Sequence, residues 1–196
     1  VSFRRAILCS RNAHKARELE RLLPGWSIEP LDRDDYPAET GASYYENAVR
    51  KAAFGRARTH GEVWVIGEDS GLEVAALGSR PGVQSARYAP EGPPAIAKLL
   101  TELEGVPPEH RDARYVSELV AIAPAPDGLE LRGTGTLEGG IADEPRGSEG
   151  FGYDPIFVPA GYEQTVAELG NDWKSRHSHR ARAAQALQEA LDAAGR

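Results

Sequence analysis

The chain has 196 residues, 40% of them apolar and 27% charged, a composition that suits one globular domain or two small, tightly joined lobes and excludes a disordered chain. Its 30 acidic and 23 basic side chains give a formal net charge of −7. That argues against a generic binder of nucleic acid, which needs a basic surface, but not against a small phosphate ligand that needs only a few local cations. A single cysteine excludes an internal disulfide framework or a multi-cysteine zinc site, and no apolar stretch approaches the ~20 residues that cross a bilayer. Only Lys15, Lys51, Lys98 and Lys174 are lysines; the other basic side chains are arginines. The start, Val1-Ser2-Phe3-Arg4-Arg5, is followed by no signal-type hydrophobic region. A soluble, cytoplasmic protein with no membrane partner is therefore expected.

Residues 4–9 read as a short buried strand, whose apolar run Ala6-Ile7-Leu8-Cys9 marks Cys9 as a structural thiol. Residues 13–23 read as a helix, with Ala16, Leu19 and Leu22–Leu23 at helical spacing, stopped by Pro24-Gly25. A second strand over 26–31 and a polar loop over 32–42 lead to a helix over 43–60. Ser43 and Glu46 have the spacing of a capping box there. Val63 to Ile66 suggests a buried strand that ends in an acidic turn, Gly67-Glu68-Asp69-Ser70-Gly71. A turn at 78–82 and a helix over 94–103 come next. Two β-rich runs, 114–123 and 129–138, are joined by Pro124-Ala125-Pro126-Asp127-Gly128, a hairpin signal. A glycine-rich stretch covers 139–152, residues 155–159 are extended, and an amphipathic helix over 178–194 closes the chain. This alternation implies an α/β fold with a mixed sheet. The helix at 43–60 and the hairpin at 114–138 are candidates for a second lobe.

Four segments carry candidate chemistry. Ser10-Arg11-Asn12-Ala13-His14-Lys15 joins a strand to a helix, and free N–H groups at a helix start attract anions; capping by Ser10 or Asn12 with a solvated Lys15 explains it as simply. Glu68-Asp69-Ser70-Gly71, with Glu39 as a second carboxylate, supplies what Mg²⁺ needs beside a phosphate, or merely caps a strand. Gly147 to Pro155 sets Phe151 and Tyr153 among glycines, where a flat ring can stack or a buried aromatic turn can form. Lys174 with Ser178-His179-Arg180 gives a second cationic helix start, or ordinary capping. A nucleoside triphosphate with Mg²⁺ would use all four.

These segments carry a resemblance. Ser10 to Lys15, Glu39-Thr40-Gly41, Glu46-Asn47-Ala48, Lys51-Ala52, Asp69-Ser70-Gly71-Leu72-Glu73-Val74, Pro81-Gly82-Val83 and Ser85-Ala86-Arg87-Tyr88 follow one another in the order of a known family. Pro145-Arg146-Gly147, Gly150-Phe151-Gly152-Tyr153-Asp154-Pro155-Ile156-Phe157, Ala167-Glu168-Leu169, Lys174 and Ser178-His179-Arg180 continue it. The ordered set resembles the inosine/xanthosine triphosphate pyrophosphatases, enzymes that hydrolyse non-standard purine nucleotides. The resemblance implies a single domain with an elongated, two-lobed α/β fold, built on a long mixed twisted sheet with a nucleotide cleft between the lobes, and a homodimer. It implies Mg²⁺-dependent cleavage of ITP, dITP or XTP between the α and β phosphates. It assigns Ser10, Asn12, Lys15, Ser70 and Lys174 to the phosphates, with backbone contacts from Arg11, Ala13 and His14. Glu39 and Asp69 are assigned to the metal, Asp69 also as the catalytic base. Phe151 would stack on the base, and Gly152, Tyr153, Asp154, His179 and Arg180 would shape its pocket. Glu68 stands where many bacterial relatives carry aspartate. Two alternatives remain at this point: a pyrophosphatase for modified or pyrimidine nucleotides, and a non-catalytic nucleotide sensor.

Overall fold

The computed structural model describes residues 4–10, 13–59 and 61–195. Its elements are β1 (Arg4–Cys9), α1 (Ala13–Leu22), β2 (Trp26–Pro30), α2 (Tyr44–Arg56), β3 (Trp64–Val74), β4 (Arg80–Pro81), α3 (Pro93–Glu102), β5 (Asp112–Ile122), β6 (Glu130–Ile141), β7 (Phe157–Pro159), α4 (Val166–His177) and α5 (His179–Ala193), with short 3-10 turns between some of them. The strands form a seven-stranded mixed sheet in the order β2-β1-β3-β5-β6-β7, with β4 paired to β3. β1 lies parallel to β2 and β3, whereas β4 runs antiparallel to β3 and β7 antiparallel to β6. The expected α/β class with a long mixed sheet is therefore observed.

The chain divides into two compact units, Val1–Asp69 with Ser117–Gly135 and Arg180–Arg196, and Ser70–Val116 with Thr136–His179. The boundary falls within β3, β5 and β6, so each of these strands contributes residues to both units. The core of the first unit gathers Leu8, Leu19, Leu23, Ile66, Leu119 and Leu187. Burial of each such side chain stabilises the fold by about 1.5–3 kcal/mol. A smaller cluster of Ala48, Ala52 and Val120 underlies α2. The core of the second unit includes Leu72, Val74, Leu99, Tyr115, Ile156 and Phe157.

The sequence reading and the structure differ at three informative places. Residues 67–71, expected as a turn, are interior to β3. Gly67 is there for packing: a Cβ on it would stand 2.0 Å from the carbonyl oxygen of Ala48 and 2.7 Å from the amide nitrogen of Ala52. Helix α2 thus lies directly on β3, through its own small residues. The second place is α4, which has no counterpart in the periodicity because Gly170, at φ 85°, breaks the helical path. Its start is nevertheless specified by a reciprocal capping box. The Glu168 amide donates to Thr165 Oγ1 at 3.2 Å, and the Thr165 amide donates to Glu168 Oε2 at 2.8 Å. Third, α2 belongs to the first unit and the hairpin strands are divided between both, so these elements do not make a lobe of their own.

At α2, Ser43 is the N-cap and accepts from the Glu46 amide at 3.2 Å. The Glu46 carboxylate, however, accepts from Ala42, one residue before the cap. The helix stops at Arg56 rather than 60, and the Arg56 guanidinium instead donates to the carbonyls of Val63, Ile122 and Ala123. Cys9 is fully buried, and burial pushes its thiol up to about 12, which fits the structural role expected of it.

Candidate functional site

Successive side chains of a strand point to opposite faces, so Glu68 and Asp69 meet different neighbours. Asp69 is met by α2, whose Asn47 and Lys51 stand one turn apart on the same side. Asn47 Nδ2 donates to Asp69 Oδ2 at 2.9 Å. Lys51 Nζ donates to Asp69 Oδ1 at 3.1 Å and to the Glu68 carbonyl at 3.0 Å. The same ammonium is ion-paired with Glu39. Asn47 Oδ1 also accepts from the Gly41 amide at 2.8 Å, which ties the loop carrying Glu39 to α2. Further along that loop, Arg50 donates to Thr40 Oγ1 at 2.7 Å, and Tyr36 stacks on Phe54. The two carboxylates expected to hold a metal therefore converge on one cation.

Burial raises the Asp69 carboxyl above the ordinary range, opposed by the Lys51 charge and the Asn47 hydrogen bond and reinforced by Glu39 and Glu68. Burial works against the Lys51 charge, but the charges of Asp69, Glu39 and Glu68 outweigh it and raise the ammonium's pKa.

Glu68 is held from the other face. Lys15 Nζ donates to its Oε2 at 2.5 Å, and Arg180 Nε and Nη2 donate to its Oε1 at 3.2 and 3.1 Å. Arg180 Nη1 donates to Glu18 at 2.6 Å. Glu68 and Arg180 are each 1% exposed. Burial works against the Glu68 charge, yet Lys15, Arg180 and Lys51 hold its carboxyl well below the usual carboxylate range. Burial likewise opposes the Arg180 charge, and Glu18 and Glu68 more than restore it.

In the second unit the organising group is Asp154, which is 2% exposed. Its Oδ2 accepts from the Phe151 amide and from Lys174 Nζ, both at 2.8 Å, and its Oδ1 accepts from Tyr115 Oη at 3.3 Å. Lys174 Nζ lies 3.8 Å from the centroid of the Phe151 ring, a cation–π contact. The His179 ring lies almost parallel to Tyr115, centroids 4.5 Å apart and planes inclined by 11°. Gly150 makes the loop possible: its φ is 80°, and a Cβ there would meet Asp154 Oδ2 at 2.2 Å.

The remaining expected residues are placed as follows. Ser10 is buried just after β1, Ala13 opens α1, and Arg11 and Asn12 lie outside the described residues. His14 is exposed with its Nδ1 3.2 Å from Arg17. Ser70 is half-buried on β3, and Gly152 is half-buried in its loop. Tyr153 packs into the core of the second unit, where burial pushes its phenol up to about 12. Its hydroxyl has no hydrogen-bond partner among the described residues.

Among the described residues, no group of three or more His, Cys, Asp or Glu side chains gathers in a form that could hold a metal ion. The Glu39–Asp69 pair still fits Mg²⁺, which takes hard oxygen donors and commonly only one or two carboxylates, completed by phosphate and water. The gathering of both groups round the Lys51 ammonium supports that fit.

The sequence profile of the Ham1 family matches residues 6–190. The chain belongs to the Ham1 family. Among its relatives, the dITP/XTP pyrophosphatase of Methylococcus capsulatus is 44% identical over 199 residues, 97% of either chain. That of Geobacillus kaustophilus is 44% identical over 191 residues, 93% of this chain and 92% of its own. Two solved structures share the fold. The Ham1 protein of Staphylococcus aureus has a TM-score of 0.82 at 34% identity, and the HAM1 protein of Coxiella burnetii 0.81 at 36%; each comparison covers 97% of this chain and all of the other.

Four groups that organise this family member's clusters carried no assigned role in the sequence reading: Asn47, Lys51, Glu68 and Tyr115. A signal existed for the first two, since they stand four apart on the helical side that also carries Ala48 and Ala52. Polar residues set in a buried stripe of alanines need partners.

Proposed function

We propose that the protein is a nucleoside triphosphate pyrophosphatase that hydrolyses the non-standard purine nucleotides ITP, dITP and XTP between the α and β phosphates. The observation that carries this reading is the convergence of half-buried Glu39 and buried Asp69 on the one Lys51 ammonium, with Asn47 fixing the second oxygen of Asp69. A passive nucleotide binder has no use for two converging acids beside an anion. Membership of a family whose relatives are named dITP/XTP pyrophosphatases supports the same reading.

In this account Glu39 and Asp69 hold Mg²⁺, which when bound neutralises phosphate charge. Ser10, Asn12, Ser70 and Lys15 bind the polyphosphate, with backbone contacts from 11–14, and Lys174 adds charge. Lys15 exchanges its Glu68 partner for phosphate oxygens as substrate arrives. Asp69 orients the attacking water and receives its proton on a carboxylate oxygen. The water oxygen bonds to the α-phosphorus in line as the bond to the bridging oxygen breaks, releasing pyrophosphate.

Phe151 stacks on the base, and Gly152, Tyr153, Asp154 and His179 shape its pocket. Arg180, the next residue along α5, anchors the start of that helix through Glu68 and Glu18. Donors aimed at a 6-keto oxygen meet another donor when a 6-amino base enters, a mismatch that rejects the wrong nucleotide by several powers of ten. The chain works as one domain and as a homodimer, which light scattering of the purified protein checks. No helix among the described residues is long and apolar enough to cross a membrane.

Pyrophosphate release from a panel of ITP, dITP, XTP, ATP, GTP, UTP and dTTP, with and without Mg²⁺, tests the proposal. Rapid Mg²⁺-dependent release from the first three alone is expected. Preference for UTP or dTTP, or binding of ITP without turnover, would overturn it.

A further inference from the structure

We propose that Tyr115 is a positioning residue that sets the selectivity for 6-keto over 6-amino purines, although it belongs to neither the phosphate-binding nor the metal-holding set. The proposal rests on the reading of Phe151, Asp154 and His179 as the base-recognising residues.

Tyr115 projects from β5, a long strand, and is 7% exposed. Its ring is packed against Phe157, with centroids 4.5 Å apart and planes inclined by 41°. Held in this way, it presents a stacked surface to His179 and a hydroxyl to Asp154. Those two groups come from separate chain segments, the start of α5 and the glycine-rich loop. Through Asp154 the contact extends to the Phe151 amide and the Lys174 ammonium. One rigid side chain on a strand therefore fixes the plane of the imidazole and the orientation of the carboxylate that shapes the stacking loop.

Discrimination at position 6 of a purine depends on where donors point. An imidazole held parallel to a fixed ring has few orientations, whereas one free to rotate can present either an N–H or a lone pair and so accept an amino group as well as a keto group. The tyrosine ring and its hydroxyl have separable tasks. The ring orients His179, and the hydroxyl restrains Asp154.

The test compares Tyr115→Phe, Tyr115→Leu and His179→Ala with the wild-type enzyme, using steady-state pyrophosphate release from ITP and ATP after thermal melting has established that each variant is folded. Tyr115→Leu is expected to raise KM for ITP and to lower the ITP-to-ATP ratio of kcat/KM by about tenfold or more, with kcat for ITP within about threefold of wild type, in the range expected when recognition contacts are misplaced. Tyr115→Phe, which keeps the ring, is expected to recover most of that loss and to lower the ratio only about threefold. A purely structural role would lower activity toward both nucleotides alike and leave the ratio unchanged, which would overturn the proposal. Should Tyr115→Leu not fold, an unchanged ratio in Tyr115→Phe overturns it. If His179→Ala lowers the ratio while the Tyr115 variants do not, only the role of Tyr115 falls. If His179→Ala also leaves the ratio unchanged, the reading of the base pocket falls with it.

Discussion

Glu68 and Asp69 are neighbours on one strand and both are buried, yet their surroundings move them in opposite directions. Glu68 faces Lys15 and Arg180, and its pKa lies below the ordinary carboxylate value of 4.5. It therefore contributes stability that is fully present above that pH and is lost as the pH falls toward the depressed folded value. Asp69 is raised above its ordinary 3.8, chiefly by burial, so its ionised form works against folding at neutral pH. Two substitutions separate these effects. Glu68→Gln should destabilise the protein most at neutral pH, and the difference from wild type should shrink as denaturation is followed below pH 4.5. A difference independent of pH would contradict the assignment of charge. Asp69→Asn should unfold at no lower urea concentration than wild type at neutral pH while losing at least ~10²-fold in turnover, as expected for a positioned catalytic carboxylate. Near-normal turnover in that variant would remove Asp69 from the mechanism.

The packing of α2 on β3 brings together the groups proposed to hold the metal. Gly67 leaves no room for a side chain beneath Ala48 and Ala52, and the same helix carries Asn47 and Lys51 to Asp69. Gly67→Ala should force α2 outward against backbone atoms that cannot yield locally. A stability loss of about 1–3 kcal/mol follows from overpacking of this kind, accompanied by reduced turnover because Asn47 and Lys51 are displaced. Urea denaturation and pyrophosphate release on one preparation check both, and a variant unchanged in both would show that the contact is not tight. This position also shows why the sequence was only partly legible. β1, α1, β2, α3 and α5 announced themselves through periodicity and stop signals within a residue or two. Gly67-Glu68-Asp69-Ser70-Gly71 reads as a turn in the sequence, whereas the value of glycine at Gly67 lies in having no side chain under a helix. Helix α4 escaped because Gly170 interrupts the period, although Thr165 and Glu168 had the spacing of a cap. The types of residue in the site were visible in order along the chain. Their pairing was not, because Lys51 with Glu39 and Tyr115 with His179 are contacts made only by the folded topology.

Across the whole molecule, a net charge of −7 coexists with lysines that are scarce and, in three of four cases, paired with acidic side chains. Lys15 and Lys51 are engaged with the acids of the first unit, and Lys174 with Asp154 and Phe151 in the second. Lys98 instead donates to the Tyr88 carbonyl and lies over its ring, at the surface. The acidic balance argues against phosphate polymers as partners, while compact ammonium groups match a small polyphosphate better than the planar fork of arginine would. In the proposed reaction water attacks the α-phosphorus, and the position of an isotope label in the products reports where it attacked. With ITP hydrolysed in ¹⁸O-labelled water and the products resolved by ³¹P NMR, the label is expected in inosine monophosphate and none in pyrophosphate. Label in pyrophosphate, or release of orthophosphate with inosine diphosphate, would contradict it.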